Sequence, residues 1–124
     1  QDLPDEWNQR YGQLLGVQPA SDAEGCLQDV HWSEGLFGYF PSYLLGHLIS
    51  AQLSEAMETE IGSPEEHTAA GDVTPMLGWL RQNVHGVGRA LNAEDLVQQV
   101  TGRPLDSAAF LRHLTAKLNR LATL

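Results

Sequence analysis

Apolar side chains recur every three or four positions along most of the chain, which is the period of an amphipathic helix. The segment DLPDEWNQRYGQLLG shows this period first, with Pro4 suited to a first helical turn and Gly16 to a helix end. Its apolar positions are Leu3, Trp7, Tyr11, Leu14 and Leu15. We expect a helix here whose bulky apolar stripe requires a partner surface.

The second pattern, PSYLLGHLISAQLSEAMETEIG, is apolar nearly all round its first half. It predicts a largely buried helix from Tyr43 to Met57, followed by a stop at Gly62 and Pro64. The next stretch, PEEHTAAGD, is typical of a solvated loop or a helix end.

Three shorter patterns complete the chain. DVTPMLGWLRQNVHGVG predicts a helix with Thr74 as N-cap and Pro75 as first helical residue, and NAEDLVQQVTGRP predicts one from an Asn92 cap to a Gly102 stop. The last helix is predicted from Ser107, with a stripe of Phe110, Leu111, Leu114, Leu118 and Leu121. No segment alternates with period two. The sequence therefore predicts an all-α fold of about five helices in a single unit, residues 1–124.

Charge and composition exclude several classes of partner. Sixteen acidic against seven basic residues give a formal net charge of −9, which repels phosphate backbones, so we expect no nucleic-acid partner. The apolar-rich run from Tyr39 to Met57 is interrupted by polar residues, so we expect no membrane partner. Cys26 is the single cysteine and cannot form an intramolecular disulfide, which favours a cytoplasmic location.

The densest chemistry lies in the stretch GCLQDVHWSEGLFGYFPSY. Asp29 can orient the imidazole of His31, and Tyr39, in a frame of glycines and a proline, can donate to a developing oxyanion. Gln28 offers both a donor and an acceptor. Together these groups could bind a carboxylate or stabilise a tetrahedral intermediate. The alternative, which spacing alone favours, is that His31 and Tyr39 are buried polar residues satisfied by backbone groups.

Metal-ligand spacing is absent from the sequence. A helical zinc peptidase needs His-Glu-x-x-His, and the five histidines include no pair four positions apart. We interpret His47 as a core residue, His67 as part of a loop, and His85 and His113 as helix-surface residues. Cys26 has no basic partner nearby and is interpreted as a packing residue. The sequence therefore predicts no metal ligands in this chain.

The motif GCLQDVHW resembles the Gly-x-x-Gln-Asp-x-His-Trp signature of the carboxypeptidase Taq (M32) family of metallocarboxypeptidases. The matching positions are Gly25, Gln28, Asp29, His31 and Trp32. The segment GLFGYFPSYLLGHLISAQL resembles the one that follows the signature in the family, with Ser42 in place of the usual threonine. The opening segment and the last two helices also resemble the family, so the likeness covers nearly the whole chain.

The resemblance implies an all-helical, usually dimeric enzyme that uses zinc or another divalent metal to remove single residues from peptide C-termini. The family's metal ligands lie upstream of the part seen here, so this chain resembles about the last quarter of a family enzyme and would contain no cofactor site itself. By this resemblance His31 would hydrogen-bond the substrate near the scissile bond, and Tyr39 would reach the oxyanion. The residues implied to bind substrate, or to hold the groups that do, are Gln28, Asp29, Trp32 and Tyr43.

Three functional hypotheses remain open at this point. The chain is a C-terminal fragment of a metallocarboxypeptidase, inactive alone, whose partners would be the absent N-terminal part or a second copy. Alternatively, it is a truncated relative that acts as a non-catalytic α-helical interaction or dimerisation module. A third hypothesis, an independent metal enzyme built on the scattered histidines, ranks well below these. Zinc analysis of the purified chain separates the third from the first two.

Overall fold

A computed structural model describes residues 2–123, and all the regular structure in that range is helical. The α-helices are α1 (Asp2–Leu15), α2 (Pro41–Ile61), α3 (Pro64–Ala69), α4 (Thr74–Asn83), α5 (Ala93–Thr101) and α6 (Ala108–Leu121). Short 3₁₀ helices span Cys26–Gln28 and His85–Val87. The all-α prediction is therefore confirmed. None of the helices within residues 2–123 is long and apolar enough to cross a membrane.

The chain divides into two compact units, Gln1–Pro41 and Ser42–Leu124, which we call the N-terminal unit and the C-terminal unit. The N-terminal unit contains α1, the first 3₁₀ helix and the glycine-rich loop after it. The C-terminal unit contains nearly all of α2 and helices α3 to α6. That residues 1–124 form a single unit stays a prediction from the sequence.

A buried glutamine joins the helices of the C-terminal unit. The Gln52 side chain is fully buried on α2, and its Nε2 donates to Thr101 Oγ1 at 3.1 Å and to the Pro104 carbonyl at 3.0 Å. Its Oε1 accepts from the Asp106 backbone N–H at 3.2 Å. These bonds tie α2 to the connection between α5 and α6. The buried apolar residues of this unit are Met57, Trp79, Val97 and Ala109.

Ion pairs also connect helices of the C-terminal unit. Arg112 donates to both carboxylate oxygens of Glu55, at 2.8 and 2.7 Å, and Arg103 donates to the same carboxylate at 2.7 Å. The Arg112 hydrogen bond is the main reason why the pKa of Glu55 lies below its ordinary value of 4.5, against the opposing effect of burial. Arg120 likewise pairs with Glu65 through both oxygens and lowers the pKa of that carboxyl group.

The ends of α5 confirm the sequence prediction, and the start of α4 corrects it. The Asn92 side chain accepts from the Asp95 N–H at 2.9 Å, and Gly102 ends α5 in the left-handed region at φ 73°. Thr74 was predicted as N-cap, but it is the first residue of α4. The carboxylate of Asp72 accepts from its backbone N–H at 3.0 Å instead. The N-cap position is Val73, whose side chain has no oxygen to accept a capping hydrogen bond.

Three features of the region after Pro41 differ from the sequence prediction. The stretch PEEHTAAGD was predicted as a loop or helix end, yet its first six residues form helix α3, which includes His67 and raises the count of helices above five. α2 was predicted to be largely buried, but only Gln52 and Met57 are buried along it. His47, interpreted as a core residue, is exposed, and its ring stacks on Phe110 at 6.0 Å. The other helices of the C-terminal unit therefore leave most of α2 exposed, although its first half is apolar nearly all round.

Candidate active site

A glycine-rich loop fixes the backbone around His31. The His31 carbonyl accepts from the backbone N–H groups of Glu34 at 3.2 Å and Leu36 at 2.8 Å. Gly35 and Gly38 have φ values of 72° and 73°, a region that residues with a Cβ rarely adopt. The glycines thus permit the tight path that holds the imidazole in place.

Asp29 and His31 form a close pair. Asp29 Oδ1 lies 2.6 Å from His31 Nδ1 and also accepts from the His31 backbone N–H at 3.0 Å. The His31 and Asp29 side chains are only 17% and 13% exposed, respectively. Burial acts to raise the pKa of Asp29, but the hydrogen bonds from His31 outweigh it and hold that pKa below its ordinary value of 3.8. An ionised Asp29 therefore orients the imidazole through Nδ1.

Two aromatic rings lie against the imidazole. The Tyr39 ring centroid is 5.3 Å from that of His31, with the planes tilted by 33°. The Phe40 ring is 5.7 Å away in an edge-to-face arrangement. The structure thus brings together Asp29, His31 and Tyr39, three of the residues predicted from the sequence. Phe40 was not predicted as a site residue, and its place directly after Tyr39 was the signal that could have found it.

Trp32 packs in an aromatic cluster with α1. Its ring meets Trp7 edge-to-face at 5.9 Å and stacks on Phe37 at 6.4 Å. Trp7 stacks in turn on Tyr11 at 5.2 Å. The Trp7 Nε1 atom is buried and has no hydrogen-bond partner among residues 2–123. The contacts of Trp32 therefore place it in the packing that connects the motif to α1.

The two other predicted site residues are Gln28, in the N-terminal unit, and Tyr43, in the C-terminal unit. The Gln28 side-chain amide donates to the Ala23 carbonyl and is exposed. Tyr43 belongs to the C-terminal unit, where it is half-exposed on the first turn of α2. Cys26 is buried, in agreement with its predicted packing role.

The described residues do not fit a metal centre. Nowhere in residues 2–123 do three or more His, Cys, Asp or Glu side chains come close enough to hold an ion. The Asp29 and His31 pair offers two groups only, and these engage each other. No step of the chemistry is therefore assigned to a metal held by these residues.

Comparison with known proteins gives the site its context. The sequence model of the carboxypeptidase Taq (M32) metallopeptidase family matches residues 1–118. The chain belongs to this family. Thermostable carboxypeptidase 1 of Thermus thermophilus is 42% identical over 117 residues, which are 94% of this chain and 23% of that protein. Carboxypeptidase 1 of Bacillus subtilis is 40% identical over 121 residues, 98% of this chain and 24% of that protein.

Solved structures agree with the fold. A crystal structure of an M32 carboxypeptidase from Deinococcus radiodurans R1 superposes with a TM-score of 0.90 at 37% identity. That match covers 99% of this chain and 25% of the other. The chain thus spans about a quarter of the length of the relatives it matches. The chain thus has the fold of the corresponding quarter of that structure.

Proposed function

We propose that this chain supplies one wall of the active site of a metallocarboxypeptidase that acts on peptide C-termini. The observation that carries the proposal is the Asp29–His31–Tyr39 group, which lies inside the segment that carries the family signature. The pair is held by a backbone frame and remains partly exposed. A structural role alone does not require a carboxylate, an imidazole and a phenol at one place on the surface.

His31 would contact the substrate through Nε2. Asp29 engages Nδ1, so Nε2 is the ring nitrogen that would hydrogen-bond the peptide near the scissile bond. The charge on Asp29 fixes both the ring orientation and the proton position on Nδ1. Asp29 therefore acts as a positioning residue, because it works through His31.

Tyr39 would stabilise the reaction intermediate. Attack on a peptide carbonyl places negative charge on its oxygen, and a preorganised hydroxyl donor stabilises that charge in the transition state. Tyr39 is nearly half-exposed next to His31, at the start of the Phe40–Pro41 step into α2. A substrate bound to His31 would therefore lie within the reach of its hydroxyl.

The metal-binding part of the active site would come from a segment of a family-length enzyme outside these 124 residues. The family is one of metallopeptidases, and we place the ligands of a divalent metal in the other three quarters of a family-length enzyme. The apolar end of α1 supports such an association, because Leu14 and Leu15 are largely exposed. Burial against the absent part would cover them. A cytoplasmic location stays a prediction.

A chimera tests this proposal. Residues 1–124 would replace the matching quarter of the Bacillus subtilis carboxypeptidase 1, to which they are 40% identical. In an active chimera we expect Tyr39→Phe to lower kcat roughly 10²–10³-fold with little change in KM. We expect Asp29→Asn to lower kcat about 10–100-fold, because the imidazole loses its orientation. Tyr11→Phe on α1 is the matched control and should leave turnover unchanged.

Two results would count against the proposal. Near-normal turnover of the Tyr39→Phe chimera would show that Tyr39 only shapes the site. Peptide hydrolysis with stoichiometric zinc in the isolated 124-residue chain would instead favour an independent metal enzyme.

A non-catalytic interaction module is the second candidate. It is favoured by the large apolar side chains that α1, α2 and α6 leave exposed. This candidate would be favoured if substitution of His31 and substitution of Tyr39 both left the turnover of an active chimera unchanged.

A further inference from the structure

Helix α1 contacts the chain on both sides of the Asp29–His31 pair. It packs against the 3₁₀ helix Cys26–Gln28, which ends directly before Asp29. It also carries Trp7, whose ring meets that of Trp32 edge-to-face at 5.9 Å. Because Trp32 directly follows His31, the two contacts lie immediately before and immediately after the pair. All of these residues belong to the N-terminal unit.

Trp32 contacts two other rings, and Trp7 is the more deeply buried of them. Trp7 and Trp32 are both half-buried, whereas Phe37, which stacks on Trp32 at 6.4 Å, is 76% exposed. The hydrophobic stabilisation of a contact grows with the apolar area that it removes from water. The ring of Trp7 therefore contributes more than that of Phe37 to fixing where Trp32 lies.

A short turn links the position of Trp32 to that of the imidazole. The His31 carbonyl accepts from the backbone N–H of Leu36 at 2.8 Å, which closes a turn that contains Trp32. Only one peptide bond separates Trp32 from His31, so a rotation of this turn would move the imidazole relative to Asp29. The hydrogen bond between Nδ1 and Asp29 Oδ1, at 2.6 Å, weakens steeply when its geometry changes. The orientation of the imidazole therefore depends on the place of the Trp32 ring.

We infer that Trp7 is a positioning residue for the His31 imidazole and that it acts through Trp32. Its Nε1 atom is buried and has no hydrogen-bond partner among residues 2–123. A buried donor without a partner costs stability, so ring contact rather than a hydrogen bond holds Trp7 in place. The consequence for turnover rests on the proposed function of His31, whereas the orientation of its ring can be measured without any activity.

Nuclear magnetic resonance of the 124-residue chain tests this inference. The nitrogen signals of the neutral His31 ring report which nitrogen carries the proton, and we expect the natural chain to show it on Nδ1, beside Asp29. Trp7→Leu keeps an apolar side chain but removes the ring. We expect it to move the His31 signals at least halfway toward those of the exposed His85 in the same spectrum. Trp7→Phe keeps a ring and should leave them close to the natural values.

The matched control is Tyr11→Leu, one turn further along α1. Tyr11 stacks on Trp7 at 5.2 Å, and removal of its ring should leave the His31 signals unchanged. The chimera with Bacillus subtilis carboxypeptidase 1 adds a kinetic measurement. There Trp7→Leu should lower kcat about 10-fold with KM within about twofold, because a misplaced imidazole acts mainly on the reacting geometry. Trp7→Phe should restore most of the turnover.

Natural His31 signals in Trp7→Leu would overturn the inference, and so would equal shifts in Trp7→Leu and Tyr11→Leu, because the effect would then come from the general packing of α1. If Trp7→Leu unfolds residues 2–41, the longer side chain of Trp7→Met takes its place. Unfolding of both variants would overturn the inference, because Trp7 would then be a general requirement of this fold. Shifted His31 signals with unchanged kcat in the chimera would uphold the positioning by Trp7 and count against the proposed role of His31.

Discussion

The two units of this chain use polar side chains in different ways. In the C-terminal unit Gln52 is fully buried, and its hydrogen bonds join three parts of the fold. In the N-terminal unit the polar pair Asp29–His31 remains partly exposed and is held by a short loop. The first arrangement stabilises the packing of helices, and the second leaves an acid–imidazole pair partly accessible to solvent. Loops on a firm helical scaffold commonly carry function in this way.

The largest effect should follow from removal of Gln52. Gln52→Ala leaves the Asp106 N–H and the Thr101 hydroxyl without this partner and opens a cavity, so we expect a loss of about 2–4 kcal/mol in the free energy of unfolding. Urea denaturation followed by far-ultraviolet circular dichroism, which reports the helices of this unit, measures the loss. Gln98→Ala on the exposed side of α5 is the control and should stay within about 0.5 kcal/mol. If Gln52→Ala and Gln98→Ala lowered the free energy of unfolding equally, the buried hydrogen bonds of Gln52 would not stabilise this unit.

A pair of glycine substitutions compares the two units directly. Gly38 has φ 73° in the site loop, and an alanine there would be strained by about 1 kcal/mol. Gly46 lies inside α2 with open space around it, so Gly46→Ala should stabilise the helix by about 0.5–1 kcal/mol. Denaturation curves and the NMR signals of the His31 imidazole separate the two outcomes. If Gly38→Ala and Gly46→Ala changed the free energy of unfolding in the same direction, the proposed difference between the loop and the helix would be wrong.

Acid should produce the smallest and most gradual effect. The folded-state pKa values of Glu55 and Glu65 lie below the ordinary 4.5, and that of Asp29 lies below 3.8. A lowered folded pKa adds stability at pH values above the unfolded pKa, and this stability is lost as pH falls through the folded pKa. We therefore expect the contributions of Glu55 and Glu65 to weaken below pH 4.5, and that of Asp29 below pH 3.8.

Denaturation at pH 7 and at stepped values down to pH 3 would measure this loss. Glu55→Gln is the matched control and should reduce the pH dependence of the C-terminal unit, because the neutral amide does not titrate. A variant with the full natural pH dependence would contradict the role assigned to the Glu55 ion pairs.

Local features were predictable from the sequence because their causes are local. The Asn92 cap, the Gly102 stop and the period of each longer helix depend on residues within one turn. The pairing of Asp29 with His31 likewise spans only two positions. The family signature lies in the same short stretch, so the candidate site could be located before the structure was known.

Tertiary structure alone decided which helical faces are covered. Periodicity shows that α2 and α6 have apolar sides, but a pattern of hydrophobic positions does not say what packs against them. The exposure of His47, and the outward leucines of α6 opposite its ion-paired side, depend on residues more than forty positions apart in the chain, such as Glu55 and Arg112. Contacts of such separation are set by the packing of whole helices, and no local sequence rule encodes them.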